Sequence, residues 1–182
     1  MKEHTQTMQE TPGLKDVPLF RHLDDEEREE LEELLEPASF EAGETVFDEG
    51  GPEERLYVIT SGTVAVHKRV LPGRRQHLAT IEAPTVVGEM GLLTEPRAAA
   101  SVEARTRVEA YCIDRDRFLE MLDEDSMAAC KIVYEIGRAL ASRMARTDGT
   151  IAELIARLEG GGSGEATDLE IFQDRLIREW SY

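Results

Sequence analysis

The sequence predicts a mainly β domain, an antiparallel sandwich, roll or barrel, with helices on both sides of it. Three observations carry this. From Ala38 to Ile113, short apolar stretches alternate with turn signals at Gly43, Gly50, Gly51, Gly62 and Gly73. An acidic segment with a leucine stripe precedes that block. After Asp114 the apolar spacing becomes helical, and its last stretch keeps a 3.5-residue repeat.

Taken in order, residues 1–13 are polar, end in Pro-Gly and predict a disordered arm. In the next segment Asp24 or Asp25 can cap a helix, and acidic residues fill its first turn, which suits the helix dipole. Leu23, Leu31, Leu34 and Leu35 give that helix its apolar stripe, and Pro37 follows its end. Its carboxylates lack the loop spacing that calcium needs, so they predict a solvated face. Ser61-Gly62 and Pro72-Gly73 read as hairpin turns. Alternation over Thr63-Val64-Ala65-Val66-His67 predicts a strand with one buried face. With its entry helix, this unit is expected to span 14–125, closing on a short helix in DRDRFLEMLDED.

A long C-terminal helix is expected over 126–159. Val133, Gly137, Leu140, Met144, Thr147, Ile151, Leu154 and Leu158 recur on it in steps of four and three, the spacing of a coiled-coil seam. A second stripe, Ile132, Ile136 and Ala139, is suited to packing on the β unit. Two apolar faces predict a dimerisation helix. Residues 160–165 are a Gly-rich linker. In the tail, 166–182, Thr167 and Glu170 form a capping box, and Leu169, Phe172, Leu176 and Trp180 predict an amphipathic helix.

Composition excludes several classes of function. The 182 residues carry 21 Lys and Arg against 38 Asp and Glu, a net charge of −17. A chain this acidic, without a basic block, is expected to bind no nucleic acid. Lys131, Glu135, Arg138 and Arg143 interrupt the longest weakly polar stretch, so no membrane span is expected. The first residues lack the apolar core of a secretory signal, and Cys112 and Cys130 read as two buried thiols of a cytoplasmic protein. His4, His22, His67 and His77 are scattered, without the clustering that a metal-dependent β-barrel enzyme needs. No nucleophile accompanies Glu89. No catalytic or metal site is expected, and the chain reads as a non-enzyme.

One segment carries chemistry, Val87-Gly-Glu-Met-Gly-Leu-Leu-Thr-Glu-Pro-Arg-Ala-Ala-Ala-Ser101. It lies between two strands and is too short for a crossover helix. A helical turn starting near Glu89 would aim backbone N–H groups at one point, and Arg97 is suited to a bidentate clamp on phosphate oxygens. Glu89 can accept hydrogen bonds from a sugar hydroxyl. A phosphate and a sugar hydroxyl held by Arg and Glu describe a nucleotide.

These residues resemble a known family, the cyclic nucleotide-binding domain of catabolite-activator-type regulators, kinase regulatory subunits and nucleotide-gated channels. The resemblance runs from about Leu19 to Leu158. It includes Phe40 to Gly50, Leu56 to Val66 and the cassette Gly88-Glu89-Met90-Gly91-Leu92-Leu93 with Pro96-Arg97-Ala98-Ala99. It implies an eight-stranded, jelly-roll-like β-roll closed by a long helix that often dimerises. It implies cAMP or cGMP as ligand, with Glu89 on the ribose 2′-hydroxyl and Arg97 on the cyclic phosphate. Gly88, Met90, Ala98 and Ala99 would line the sugar-phosphate pocket, and Thr147 would contact the purine. Two departures accompany it. Arg97 lies four residues before Ser101 where the family has three, so Ala98 fills the arginine column, and IEAPTVV lacks the usual Gly-Asp turn. No helix-turn-helix fits after Leu158. The resulting expectation is a stand-alone cyclic nucleotide sensor that signals through a protein partner. The alternative is a degenerate domain that serves as an interaction module without ligand.

Overall fold

The computed structural model describes residues 14–71, 74–94 and 97–159, with side chains described for all of these except 14, 146, 148 and 150–159. Two short 3-10 turns, Leu14–Asp16 and Pro18–Phe20, lead into helix α1, Asp25–Glu32. Of the two candidate caps, Asp24 takes the role. Its Oδ1 accepts from the Glu27 N–H at 3.0 Å, while Glu27 Oε2 accepts from the Asp24 N–H at 2.8 Å, a reciprocal box.

Eight strands follow: β1 Glu36–Phe40, β2 Thr45–Phe47, β3 Arg55–Ser61, β4 Thr63–Leu71, β5 Arg74–Glu82, β6 Thr85–Val87, β7 Ser101–Ala104 and β8 Val108–Asp114. Helix α2, Glu89–Leu93, interrupts them after β6. All pairings are antiparallel. One sheet has the order β1-β8-β3-β6 and the other β2-β7-β4-β5, so the sequence-predicted β-roll is the observed fold. Helix α3, Arg115–Asp123, and helix α4, Met127–Glu159, close the chain. Asp114 caps α3 by accepting from the Asp116 N–H at 3.0 Å.

Strand β3 is buried on both faces, and its side chains show it. Leu56 and Val58 join a core with Phe20, Leu31, Phe118, Ile132 and Ile136 from the helices. Between them in sequence, Tyr57 and Ile59 point the other way, into a second core with Val64, Val66, Ile81 and Val102 of the facing sheet. This explains why β3 reads as a continuous apolar run rather than an alternating one.

Several expectations change on meeting the fold. Pro37 follows the end of α1, as expected, but already belongs to the next element. It sits in β1, at the sheet edge, where a missing N–H is tolerated. Ala65 is buried along with Val64 and Val66, because its strand is flanked by β5 and β7 and a methyl group is easily covered. Cys112 is buried, but Cys130 is exposed, since α4 turns Ala128, Ala129, Ile132 and Ile136 inward and leaves position 130 outside. The predicted second stripe of α4 packs on the β unit through Ile132 and Ile136. On the predicted seam, Val133 and Leu140 pack partly on the chain's own core, while Gly137, Met144 and Thr147 are exposed. The side chains of Ile151, Leu154 and Leu158 lie outside the described residues. So do the expected arm, the Pro72-Gly73 turn, the Gly-rich linker and the tail.

Candidate functional site

Two glycines build the site. Gly88 joins β6 to α2 at φ +91°, a left-handed conformation that L side chains rarely adopt. A Cβ there would come within 2.5 Å of the Arg55 carbonyl oxygen, and one at Gly91 within 2.5 Å of the Glu53 carbonyl oxygen. Their lack of side chains lets α2 lie directly on the backbone of residues 53–55. Arg115 fixes the far end of α2, donating from Nε to the Gly91 carbonyl at 2.8 Å and from Nη2 to the Thr94 carbonyl at 3.3 Å.

This arrangement puts Glu89 at the wall of a hollow between the two sheets, α2 and α4. Phe47, Val66, Ile81, Val86, Val87, Ala99, Ala100 and Val102 make most of its lining apolar, and its polar groups are few. Arg143 enters from α4, and its Nη1 and Nη2 each lie 3.5 Å from Glu89 Oε1. Both side chains are largely buried, at 19% and 10% exposure. Glu53 is the third polar group. Its residue is 5% exposed, and its Oε2 has no hydrogen-bond partner among the described residues. Burial, then the neighbouring charge of Glu89, pushes the Glu53 carboxyl up to about 7.

Of the residues singled out from sequence, Gly88, Glu89, Met90 and Ala99 line this hollow together. Arg97 does not, which corrects the convergence expected of it. Its segment pairs with residues 50–52 through a bridge to Pro52, with the Gly50 N–H donating to the Ala98 carbonyl at 2.8 Å and the Ala98 N–H to the Gly51 carbonyl at 3.0 Å. Neighbours in extended chain face opposite ways, so burying Ala98 turns Arg97 outward. Its guanidinium is exposed, with Nη1 3.4 Å from the Gly50 carbonyl. Ala98 is buried behind the site and is not part of the lining. Thr147 is exposed one turn beyond Arg143, and its hydroxyl donates to the Arg143 carbonyl at 2.9 Å.

Sequence reasoning missed Arg143 and Glu53. For Arg143 a signal existed, since it lies four residues before Thr147 and therefore on the same helix face. Among the described residues no group of three or more His, Cys, Asp or Glu is placed to hold a metal ion, and no helix is long and apolar enough to cross a membrane.

The profile of the cyclic nucleotide-binding domain family matches residues 37–125, from β1 through α3. Residues 37–125 belong to the cyclic nucleotide-binding domain family. The chain is 35% identical over 126 residues to a CRP-like cAMP-activated global transcriptional regulator of Mycobacterium tuberculosis, covering 69% of this chain and 54% of that protein. It is 35% identical over 108 residues to the cAMP-dependent protein kinase regulatory subunit of Dictyostelium discoideum, covering 58% and 33%. Among solved structures it is similar to the catabolite activator protein of Thermus thermophilus, with a TM-score of 0.67, 26% identity and coverage of 75% of this chain and 62% of that one. The chain thus spans about half the length of its mycobacterial relative and a third of the amoebal one. These relatives are regulators, one of transcription and one of a kinase.

Proposed function

We propose that this chain is the sensing domain of a regulator, with cAMP or cGMP bound in the hollow beside α2. The observation that carries this reading is the Glu89–Arg143 pair, a carboxylate from the cassette and a guanidinium from α4 meeting at one apolar hollow. Glu89 accepts from a sugar hydroxyl, and Arg143 supplies the charge-assisted contact to the ring phosphate. Gly88, Met90 and Ala99 form the wall around them, and Thr147 meets the base. The ligand phosphate competes with Glu89 for Arg143. Binding therefore shifts the balance between positions of α4, which is how occupancy becomes a signal.

The net charge of −17 favours a protein over DNA as the receiver of that signal, in a cytoplasmic setting. A second copy is the natural cover for the exposed row Tyr134, Gly137, Ala141 and Met144 on α4, giving a homodimer that sedimentation velocity would register. Arg97's outward position favours a second reading, the interaction module that takes no nucleotide.

Calorimetry with cAMP separates the two. The sensor reading expects binding by the wild-type chain. Arg143→Ala weakens it about ten- to a hundred-fold, as loss of a charged hydrogen bond does, and Arg97→Ala changes it less than about threefold. Absence of heat with both cAMP and cGMP would leave only the interaction module.

A further inference from the structure

Two carboxyl groups and one guanidinium face the same hollow, and the second carboxyl has no role in the reading above. Glu53 precedes β3, in the segment on which α2 rests. The charged and titratable groups around it are Glu89 from α2, Arg143 from α4, and Glu54, Arg55 and Tyr57 from its own segment. The linings contributed by β2, β4, β5, β6 and β7, namely Phe47, Val66, Ile81, Val86, Val87 and Val102, carry no charge. Arg143 is already engaged by Glu89. Arg55 Nη1 lies 3.9 Å from Cys112 Sγ, and among the described residues no ion pair joins either arginine to Glu53, whose Oε2 is buried without a hydrogen-bond partner there.

With both carboxyls ionised the three groups sum to −1, which repels an anionic ligand at short range and low water content. With a proton on Glu53 they sum to zero, and the carboxyl becomes a donor in the wall of the hollow. We propose that Glu53 is the proton-carrying residue of the ligand site: its neutral carboxyl donates to an anionic ligand, and loss of that proton expels the ligand. This rests on the reading of the hollow as a cyclic nucleotide site and adds to it a dependence on pH. Burial and the charge of Glu89, which together hold the Glu53 carboxyl near 7, place the transition in the physiological range. Binding above that pH takes up one proton, which stays on Glu53 while the ligand is bound.

The experiment is calorimetry of the full chain with cAMP between pH 6 and 8.5, repeated at pH 8 in buffers of different ionisation heat. Adenosine, which lacks the phosphate, is the neutral comparison. For the wild-type chain, cAMP affinity is expected to fall about tenfold from pH 7.5 to 8.5, with uptake of close to one proton at pH 8. Glu53→Gln, neutral at every pH and still a donor, is expected to bind cAMP with affinity constant within about threefold over the range and with no uptake. Adenosine binding by the wild type is expected to show no such slope. A flat wild-type profile, or an equal slope in Glu53→Gln, overturns the role of Glu53 and leaves the nucleotide site standing. No binding of cAMP by either chain at any pH overturns the nucleotide site, and this proposal with it.

Discussion

Gly88 and Gly43 share a backbone conformation and differ in surroundings, so one substitution at each isolates what the site requires. Their φ angles are +91° and +90°. Alanine at either position bears the cost of a left-handed conformation, about 1–2 kcal/mol. At Gly43 nothing lies within 4 Å of the added Cβ, so that strain is the whole effect. At Gly88 the Cβ would also meet the Arg55 carbonyl oxygen at 2.5 Å and Glu53 Oε1 at 3.3 Å. The carbonyl cannot step aside freely. Arg55 is registered against Asp114 across β3 and β8, and the carbonyl of Glu54 beside it accepts from the Arg115 N–H at 2.8 Å. Overpacking of this kind adds about 1–3 kcal/mol. Gly88→Ala should therefore destabilise the fold by about 2–5 kcal/mol and Gly43→Ala by about 1–2 kcal/mol. Urea unfolding followed by far-ultraviolet circular dichroism measures both. Gly88→Ala costing no more than Gly43→Ala would refute the claim that α2 is seated against β3 through a missing side chain.

Two further outcomes follow from buried groups. Glu53 keeps its proton up to about 7 in the fold, against an ordinary value of 4.5. The native state thus binds the proton more tightly than the unfolded chain, and this group lowers stability as pH rises from 4.5 to 7, with no further change above. The shift corresponds to roughly 2–3 kcal/mol after allowing for water screening. Relative to wild type, Glu53→Gln should gain that amount between pH 4.5 and 7.5 in urea unfolding without ligand, and a pH-independent difference would contradict it. The cysteines should also separate in a native thiol titration. Burial raises the Cys112 thiol out of easy reach, whereas Cys130 is exposed, so one equivalent should react before unfolding and two after it. Prompt reaction of both would contradict the placement of Cys112 in the core.

The β-roll was legible in the sequence because its signals are local. Gly62, at φ +96°, turns β3 into β4 where Ser61-Gly62 marks a hairpin, and the strands on either side carry the expected apolar residues. The placement of Glu89 at the start of a short helix was legible for the same reason, since it follows from a Gly-Glu pair after a strand, whereas its charged neighbours were not. Arg143 was not. In sequence it is one more charge on an amphipathic helix, and only the docking of α4 brings it to a carboxylate 54 residues earlier. Glu53 was hidden in Gly-Pro-Glu-Glu, which reads as a solvated turn until Gly88 and Gly91 bring α2 down on it. Arg97 failed on phase. A shift of one residue in extended chain exchanges inside for outside, and only the pairing with residues 50–52 settles which side Arg97 takes.

Helix α4 is pinned at one end and reads the hollow partway along. Ile132 and Ile136 are fully buried near its start, and Arg143 reaches the hollow two turns later. From Ile136 to Arg143 is about 10 Å along the axis, and from Arg143 to Glu159 about 24 Å more. If the rod stays straight and pivots at Ile136, a sideways nudge of about 1 Å at the guanidinium swings the distal tip by about 3 Å. The molecule thus carries an unequal-armed lever, short toward its fulcrum and long toward whatever reads its output.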